Sequence, residues 1–564
     1  MIERIKSAVG AELARLGAGE VDFAVEWPGE LGHGDFATNA AMAAAKALGK
    51  APREIAEGLA SVLRDALAAD ASSVEVAGPG FVNITLSVSA VARLLEEAVS
   101  AGETWGRNDR EEGKRVMIEY GNPNPFKEMH IGHLVGSIIG ESLSRVREAA
   151  GAHVLRDTFG GDVGPQVAKA LWALRRDDVT DLASAAEIGK AYVHGARAYE
   201  ESEEAKAEIN ALNTKIYEVV EQQDDPSVLS EDDRTLLYLW QKGREVSMAE
   251  FSRVFSLLGT KHDFTFFDSD TTRPGLRAVK DALAQGIFEE SEGAIIYRGE
   301  KHGDKALHTL VFVTSRGTPT YETKDIGLAF LKEERAETDE IVIVTGVEQV
   351  GHFRIVLAAL EELAPNLAAK TSHVAHGLLE LTTGKMSSRK GNIITGAELI
   401  SNLVTAASEK NADPVIAEQV AIGALKYMIL RSAPGSNIVF DPEKALSLDG
   451  DSGPYLQYAS VRAASIIANA GEANMPASPP DEVYDIARLI TRFPEVVARA
   501  QAHTAPHAIA QYLTQLAGEW NSFYAKERII GGEHEAYKLL LARAFVTTMR
   551  NGLGLLGIPV PERM

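Results

Sequence analysis

The stretch Gly121–Gly140, GNPNPFKEMHIGHLVGSIIG, decides how the chain is read. Before it, Arg115–Tyr120 (RVMIEY) predicts a short strand; after it begins, Ile131–Ala150 carries a helical pattern, and His153–Phe159 (HVLRDTF) predicts a second strand. Strand, turn, helix and strand in succession open a parallel sheet. The turn then lies at the carboxyl end of a sheet strand, where open α/β sheets bind ligands. His130 and His133 are three apart at the helix start and share a face. Gly132 between them lets a flat ring or a phosphate approach the backbone. The helix N-terminus adds N–H donors and positive dipole for an anion. Two histidines at this spacing also suit a zinc pair, or a pair without function. HExxH is absent and no third ligand is identifiable, so no metal site is expected.

Outward from this stretch the βα pattern is interrupted and then resumes. Residues from about Leu174 to Gly259 are helical and charged, including EESEEAKAE, and read as an insertion into the sheet domain. Strand candidates follow at Asp263–Phe267, Ala294–Tyr297, Thr309–Val313, Glu340–Thr345 and Ser372–Leu379, with helical patterns at Tyr321–Glu334 and Gly351–Leu363. From about Asn402 onward nearly everything is helical. The first 105 residues combine helical patterns with a strand-like run around Ser73–Ser89. The expected fold class is therefore α/β: a Rossmann-type parallel-sheet catalytic domain with a helical insertion, a small α/β N-terminal domain and an all-α C-terminal bundle. The expected divisions are residues 1–105, 106–380 with the insertion at about 175–260, 381–437, and 438–564.

The chain has 564 residues, 45% hydrophobic and 24% charged, which is ordinary for a globular protein with several cores. It has no cysteine, which excludes disulfides, cysteine-ligated zinc, iron–sulfur clusters and a cysteine nucleophile, and fits a reducing cytoplasm. A net charge of −23 disfavours a protein that coats nucleic acid, DNA included, but leaves room for a local RNA surface. No run of 18 apolar residues suggests a membrane span. The N-terminal MIERIKSAVGAELARLGAG reads as an amphipathic helix, not a signal peptide.

A second motif, TTGKMSSRKGN at Thr382–Asn392, is a Gly-bounded loop with Lys385, Arg389, Lys390 and the hydroxyls of Ser387 and Ser388. Cations and hydroxyls of this kind suit a phosphate chain. By itself the stretch also reads as a basic surface loop. No Walker A loop and no GxGxxG after a strand is present.

HIGH at His130–His133, followed much later by KMSS at Lys385–Ser388, resembles the class I aminoacyl-tRNA synthetases. The finer context is similar to the arginyl-tRNA synthetases. GNPNPFKEMHIGH, GTPTYETKDI (Gly317–Ile326), VTGVEQVGHF (Val344–Phe353), KMSSRKGN, SGPYLQYASVR (Ser452–Arg462), WNSFYAKERII (Trp520–Ile530) and the terminal GIPVPERM resemble that family's stretches in family order. Gly34–Ala60 resembles its N-terminal domain.

The resemblance implies that arginine is activated by ATP, as its Mg2+ complex, to an adenylate, and is then transferred to the terminal ribose of tRNA(Arg). It implies no prosthetic group. His130, Gly132 and His133 would line the ATP, and Lys385, Met386, Ser387 and Ser388 would belong to the loop over the pyrophosphate. Asn122, Pro123, Asn124, His133, Tyr321, Asp325 and Gln349 match arginine-site positions. Independently, a guanidinium has five donors and no acceptor, so carboxylate and hydroxyl acceptors suit it. Tyr455, Gln457, Tyr458, Arg462, Asn521, Tyr524 and Arg528 match RNA-contacting stretches, where stacking and edge hydrogen bonds read unpaired bases. A monomer in the cytoplasm is expected.

Three positions depart from the pattern. Asn122 stands where the family has serine, Val135-Gly136 where an arginine is common, and Ser388 where the loop lysine belongs. Two candidates stand in for that lysine, Arg389–Lys390 in the loop and Lys127 before His130, and the resemblance favours Lys127. The competing readings are a class I synthetase for another cation such as lysine, and a tRNA-binding relative without catalysis.

Overall fold

The structure, a computed structural model, describes residues 1–179, 182–302, 307–382, 394–470 and 479–564. It divides into two compact units. The larger comprises Arg107–Gln457, Val497–Gln511 and Gly552–Met564; the smaller comprises Met1–Gly106, Tyr458–Val496 and Tyr512–Asn551.

The larger unit is built on a five-stranded sheet in the spatial order Thr371–His376, Glu340–Gly346, Arg115–Glu119, His153–Gly160, Phe264–Phe267. All four pairings are parallel. Val116, Met117, Ile118, Ile341, Val342 and Val344 are buried. Such continuous apolar runs are what a parallel sheet covered on both faces requires. The first strand in sequence lies at the centre, so the strand order reverses beside it. That reversal opens a crevice at the strands' carboxyl ends.

Two expected strands do not join this sheet. Ala294–Arg298 and Thr309–Val313 pair antiparallel with each other, and Glu289–Ser291 adds a third strand. The reason is connection length: a parallel partner needs a crossover of about a dozen residues or more. Only Glu292 and Gly293 separate Glu289–Ser291 from Ala294–Arg298, and both have positive φ, the geometry of a tight hairpin. The expected single strand Ser372–Leu379 also divides, into Thr371–His376 and Leu379–Leu381. Between them a Cβ on Gly377 would meet the Ser436 carbonyl oxygen at 1.9 Å, so the chain crosses there only as glycine. Leu379–Leu381 then pairs parallel with Ile438–Phe440, a strand that the helical reading of the C-terminal region passes over.

The insertion forms as helices Ala185–Glu201, Glu203–Glu221 and Glu231–Leu257. Each starts at a serine, Ser184, Ser202 or Ser230, whose hydroxyl accepts an N–H three residues on. With Pro165–Arg176 they enclose a core that includes Trp172, Leu236 and Trp240, and that also takes in Phe126 from the HIGH-bearing turn.

In the smaller unit an antiparallel sheet runs Val25–Glu26, Phe36–Thr38, Phe81–Leu86, Ala71–Ala77. Helices Ile2–Arg15 and Pro52–Ala66 bury Ile5, Val9, Leu59 and Leu63 against Val82 and Ile84. Among its C-terminal helices, Trp520 of Pro506–Lys526 stacks on Phe545 of Glu535–Leu555 at 4.5 Å.

Candidate active site

All five parallel strands send their carboxyl ends to one cavity of about 450 Å³. Glu119, Gly121, Asn122 and Asn124 come from the central strand and the turn after it, and Phe159 and Gly161 from the next strand. Asp268 follows the edge strand, Val344 to Gly346 end the fourth, and His376 ends the fifth. Lys127, His130, Gly132, His133, Tyr321, Asp325, Gln349 and His352 complete the wall. Pro123 is buried behind that surface. A larger groove, about 680 Å³, runs along Asp268–Ala284 but does not gather the HIGH histidines.

The turn carrying the first motif is pinned from several directions. Asn122 has φ +49, a conformation that asparagine tolerates better than most residues. Its amide donates to Glu119 Oε1 (2.7 Å), and its carbonyl accepts the Phe159 N–H (3.0 Å). Asn124 accepts the Gly161 N–H at 2.8 Å. Phe126, also at positive φ, is fully buried, and its N–H donates to Ser247 of the insertion at 3.1 Å. A non-glycine residue holds such a conformation only where its surroundings demand it. Here the insertion core supplies the demand.

At the helix start, the rings of His130 and His133 stack with centroids 3.6 Å apart and planes 21° off parallel. Two cations would repel at that spacing, so the two rings are not charged together. Burial and then Lys127 lower His130; burial and then His130 lower His133 well below the usual histidine range. The His130 backbone N–H donates to His133 Nδ1 (3.1 Å). The proton of neutral His133 is therefore on Nε2, where it is free to donate. Thr395 bridges His130, and Gly396 N–H donates to Met129 O at 2.7 Å. The vacancy at Gly136, where an arginine was expected by resemblance, faces His376, whose Nε2 lies 3.4 Å from the position of a Cβ there. The Lys127 ammonium sits 4.8 Å from the centre of the Tyr192 ring of the insertion. Lys385, Met386, Ser387 and Ser388 lie outside the described residues.

The opposite end of the cavity is charged. Asp325 pairs with His352 Nε2, and Glu322 lies 3.4 Å from His352 Nδ1. Burial by itself lowers His352, but the hydrogen bonds to Asp325 and Glu322 outweigh it and bring the pKa up to about 10. Burial pushes the Asp325 carboxyl up, against the pull of His352. Behind it, the buried Lys332 ammonium bridges Glu119 and Asp157 (2.8 Å). The buried Asp268 is pushed by desolvation to about 6, although Lys324 is 2.6 Å away. Glu119, Asp268, His352 and His376 were not singled out from sequence. His352 stood in a quoted stretch, but nothing local marks its pairing with Glu322 and Asp325, about thirty residues distant.

Of the RNA candidates, Tyr458, Arg462 and Arg528 are exposed, and Tyr455, Asn521 and Tyr524 half-buried. The Arg462 guanidinium lies over the Tyr524 ring at 4.4 Å. Gln457 differs from the expectation: it is fully buried, and its amide donates to the carbonyls of Gln419 (3.0 Å) and Pro559 (2.6 Å). Among the described residues no cluster of three or more His, Asp or Glu could hold a metal, and no helix is long and apolar enough to cross a membrane.

A parallel sheet reversing beside its first strand, with HIGH at the following helix start, defines a class I aminoacyl-tRNA synthetase. The family model for the class I (R) tRNA synthetase catalytic domain matches residues 95–441, the DALR anticodon-binding domain 456–564, and the arginyl-tRNA synthetase N-terminal domain 3–86. Arginine–tRNA ligases of Treponema pallidum and Bdellovibrio bacteriovorus are each 30% identical, over 96% and 99% of this chain and 94% and 98% of their own. The solved arginyl-tRNA synthetase of Thermus thermophilus superposes with a TM-score of 0.80 at 26% identity, covering all of both chains. The chain belongs to the arginyl-tRNA synthetase family.

Proposed function

We propose that this cavity is where the chain, an arginine–tRNA ligase, activates arginine and charges tRNA(Arg). The observation that carries the reading is the polarity of the cavity: neutral donors and a helix N-terminus at one end, buried carboxylates at the other. The arginine carboxylate attacks the α-phosphorus of ATP, and the bond to pyrophosphate breaks. A hydroxyl of the terminal tRNA ribose then attacks the adenylate carbonyl, and AMP leaves. Neither step needs a protein nucleophile; positioning and electrostatic stabilisation suffice.

At the first end, the N–H groups opening helix Ile131–Ala149 and the Nε2–H of His133 face the phosphates. Neutral imidazoles donate there without being neutralised by the nucleotide. Gly132 leaves the adenosine room beside the His130 ring, which a Cβ would meet at 3.0 Å. Lys127 supplies the fixed cation for the leaving pyrophosphate in place of the lysine that Ser388 lacks. At the second end, Asp325 and Glu119 accept the guanidinium donors, Tyr321 covers them, and Asn124 and Gln349 orient the α-amino acid portion. Asn122 acts through Glu119, to which its amide is bonded. Magnesium enters with ATP, held by the phosphates. Tyr455 in the larger unit, and Tyr458, Arg462, Asn521, Tyr524 and Arg528 in the smaller, each contact the RNA, whereas buried Gln457 does not. The protein works as a cytoplasmic monomer.

The test is ATP–pyrophosphate exchange with arginine, lysine or glutamine, each with and without tRNA. Exchange with arginine alone among the three supports the reading. Exchange driven equally by lysine, or tRNA binding with no exchange under any condition, overturns it.

A further inference from the structure

His352 is part of the charged wall, yet it has no acceptor oxygen to offer a guanidinium. Its two ring nitrogens face two different carboxylates, Glu322 and Asp325, which are three apart on helix Tyr321–Arg335. A neutral imidazole has one N–H and one lone pair, so it can donate to only one of them. With both carboxyls ionised, the ring satisfies both contacts only when doubly protonated. Glu322 and Asp325 have side chains 15% exposed and His352 16%, so water does little of this work.

The other ionisable groups that act on this pair are Glu119 from the central strand, His373 from the strand Thr371–His376, and Asp268, which interacts with Asp325. His373 is held neutral by burial, at about 4. Without His352, Asp325 would therefore sit in a desolvated wall among carboxylates, with Glu119 and Glu322 both opposing its ionisation. A protonated Asp325 cannot form an ion pair with a guanidinium.

We propose that His352 is a positioning residue for arginine selection: clamped between Glu322 and Asp325, it keeps the Asp325 carboxylate ionised and aimed into the cavity. This deepens the assignment of Asp325 to the arginine site and rests on it. The imidazolium takes one oxygen of Asp325 and leaves the other for the substrate. The site then demands a cationic side chain, because the imidazolium opposes protonation of its acceptor.

The experiment measures arginine KM and kcat in tRNA-supported ATP–pyrophosphate exchange from pH 6 to 8.5. The proteins are the full-length wild type, His352→Gln, Asp325→Asn and the double variant. In the wild type the arginine KM should be flat across that range. His352→Gln keeps a donor but loses the charge. Its arginine KM should rise about tenfold at the acid end and fall several-fold as pH rises and Asp325 ionises, with the ATP KM unchanged. Asp325→Asn should raise KM at every pH, and adding His352→Gln to it should change little more, since the histidine acts through that carboxylate. A pH-independent KM in His352→Gln, or full additivity in the double variant, overturns the inference while leaving Asp325 in the site. An unchanged KM in Asp325→Asn overturns the site assignment itself. Melting curves establish that each variant is folded at assay temperature; if His352→Gln is not, His352→Asn carries the same measurement.

Discussion

The two ends of one cavity hold the same side chain in opposite charge states. At the helix start, His130 and His133 lie against each other and near Lys127, no carboxylate among the described residues is bonded to either, and desolvation together with these neighbours lowers both pKa values. At the far end His352 lies between two carboxylates and is brought up to about 10. Burial acts on all three in the same direction. What differs is the neighbour, and the neighbour decides. Each state suits what the end must bind: neutral donors for a polyanion whose charge grows as pyrophosphate leaves, and a carboxylate kept ionised for a guanidinium.

The largest expected effect breaks the charged end alone. Asp325→Asn removes the acceptor and strands the guanidinium; breaking a buried pair costs roughly 3–5 kcal/mol, so arginine KM should rise by about 10² or more. ATP KM should stay within about twofold, which exchange assays at varied ATP would check. An arginine KM that does not move takes Asp325 out of the pocket.

Next, Lys127→Ala breaks the other end. Losing a preorganised cation at the leaving group should slow adenylate formation by about 10²–10³, with arginine KM little changed. Single-turnover activation with tRNA present measures it. A rate near wild type, beside a large loss for Lys390→Ala, would give the role to the loop.

A third variant tests the support beneath the charged end. Burial pushes the Asp157 carboxyl above the usual aspartate range, although Lys332 pulls against it. An unfolded aspartate titrates at about 3.9. Between that value and the raised one the folded chain keeps a proton that the unfolded chain has released, so this group makes stability fall as pH rises. Asp157→Asn removes that slope. Its melting temperature should gain on the wild type by about 2 °C or more between pH 5 and pH 8. Parallel melting curves for the two proteins would refute this.

The smallest effect concerns Tyr192, whose ring lies 4.8 Å from the Lys127 ammonium. A cation–π contact of this exposure contributes about 0.5–1 kcal/mol, so Tyr192→Leu should slow activation by no more than about fivefold. A loss as large as that of Lys127→Ala would mean that the insertion does more than steady one side chain.

The sequence showed the neutral end more clearly than the charged one. HIGH at a strand–helix turn is local: the residues that make the site adjoin one another, and the turn's place at a strand end follows from the alternation of elements. The charged end is assembled from Glu119, Asp325 and His352, which the sheet brings together from three separate βα units. Asp325 was reachable by resemblance and by the chemistry of a guanidinium. Glu119 read only as the end of a strand. In the fold, the parallel strands were legible as apolar runs separated by helices. Ala294–Arg298 and Thr309–Val313 carry equally apolar runs, and the tight turn at Glu292-Gly293 marks only the hairpin of Ala294–Arg298 with Glu289–Ser291. Ile438–Phe440 is three residues long, too short to show a period.

The contrast between the two ends is most directly tested by a nuclear magnetic resonance titration of the full-length protein labelled with 15N in histidine. His130→Asn, His133→Asn and His352→Gln assign the signals. The account predicts that both ring nitrogens of His352 stay protonated beyond about pH 8.5, while His133 stays neutral, with its proton on Nε2, to well below the ordinary histidine range. If the three rings instead titrate together near the ordinary value of about 6.5, the neighbours do not set their charge and the account is wrong.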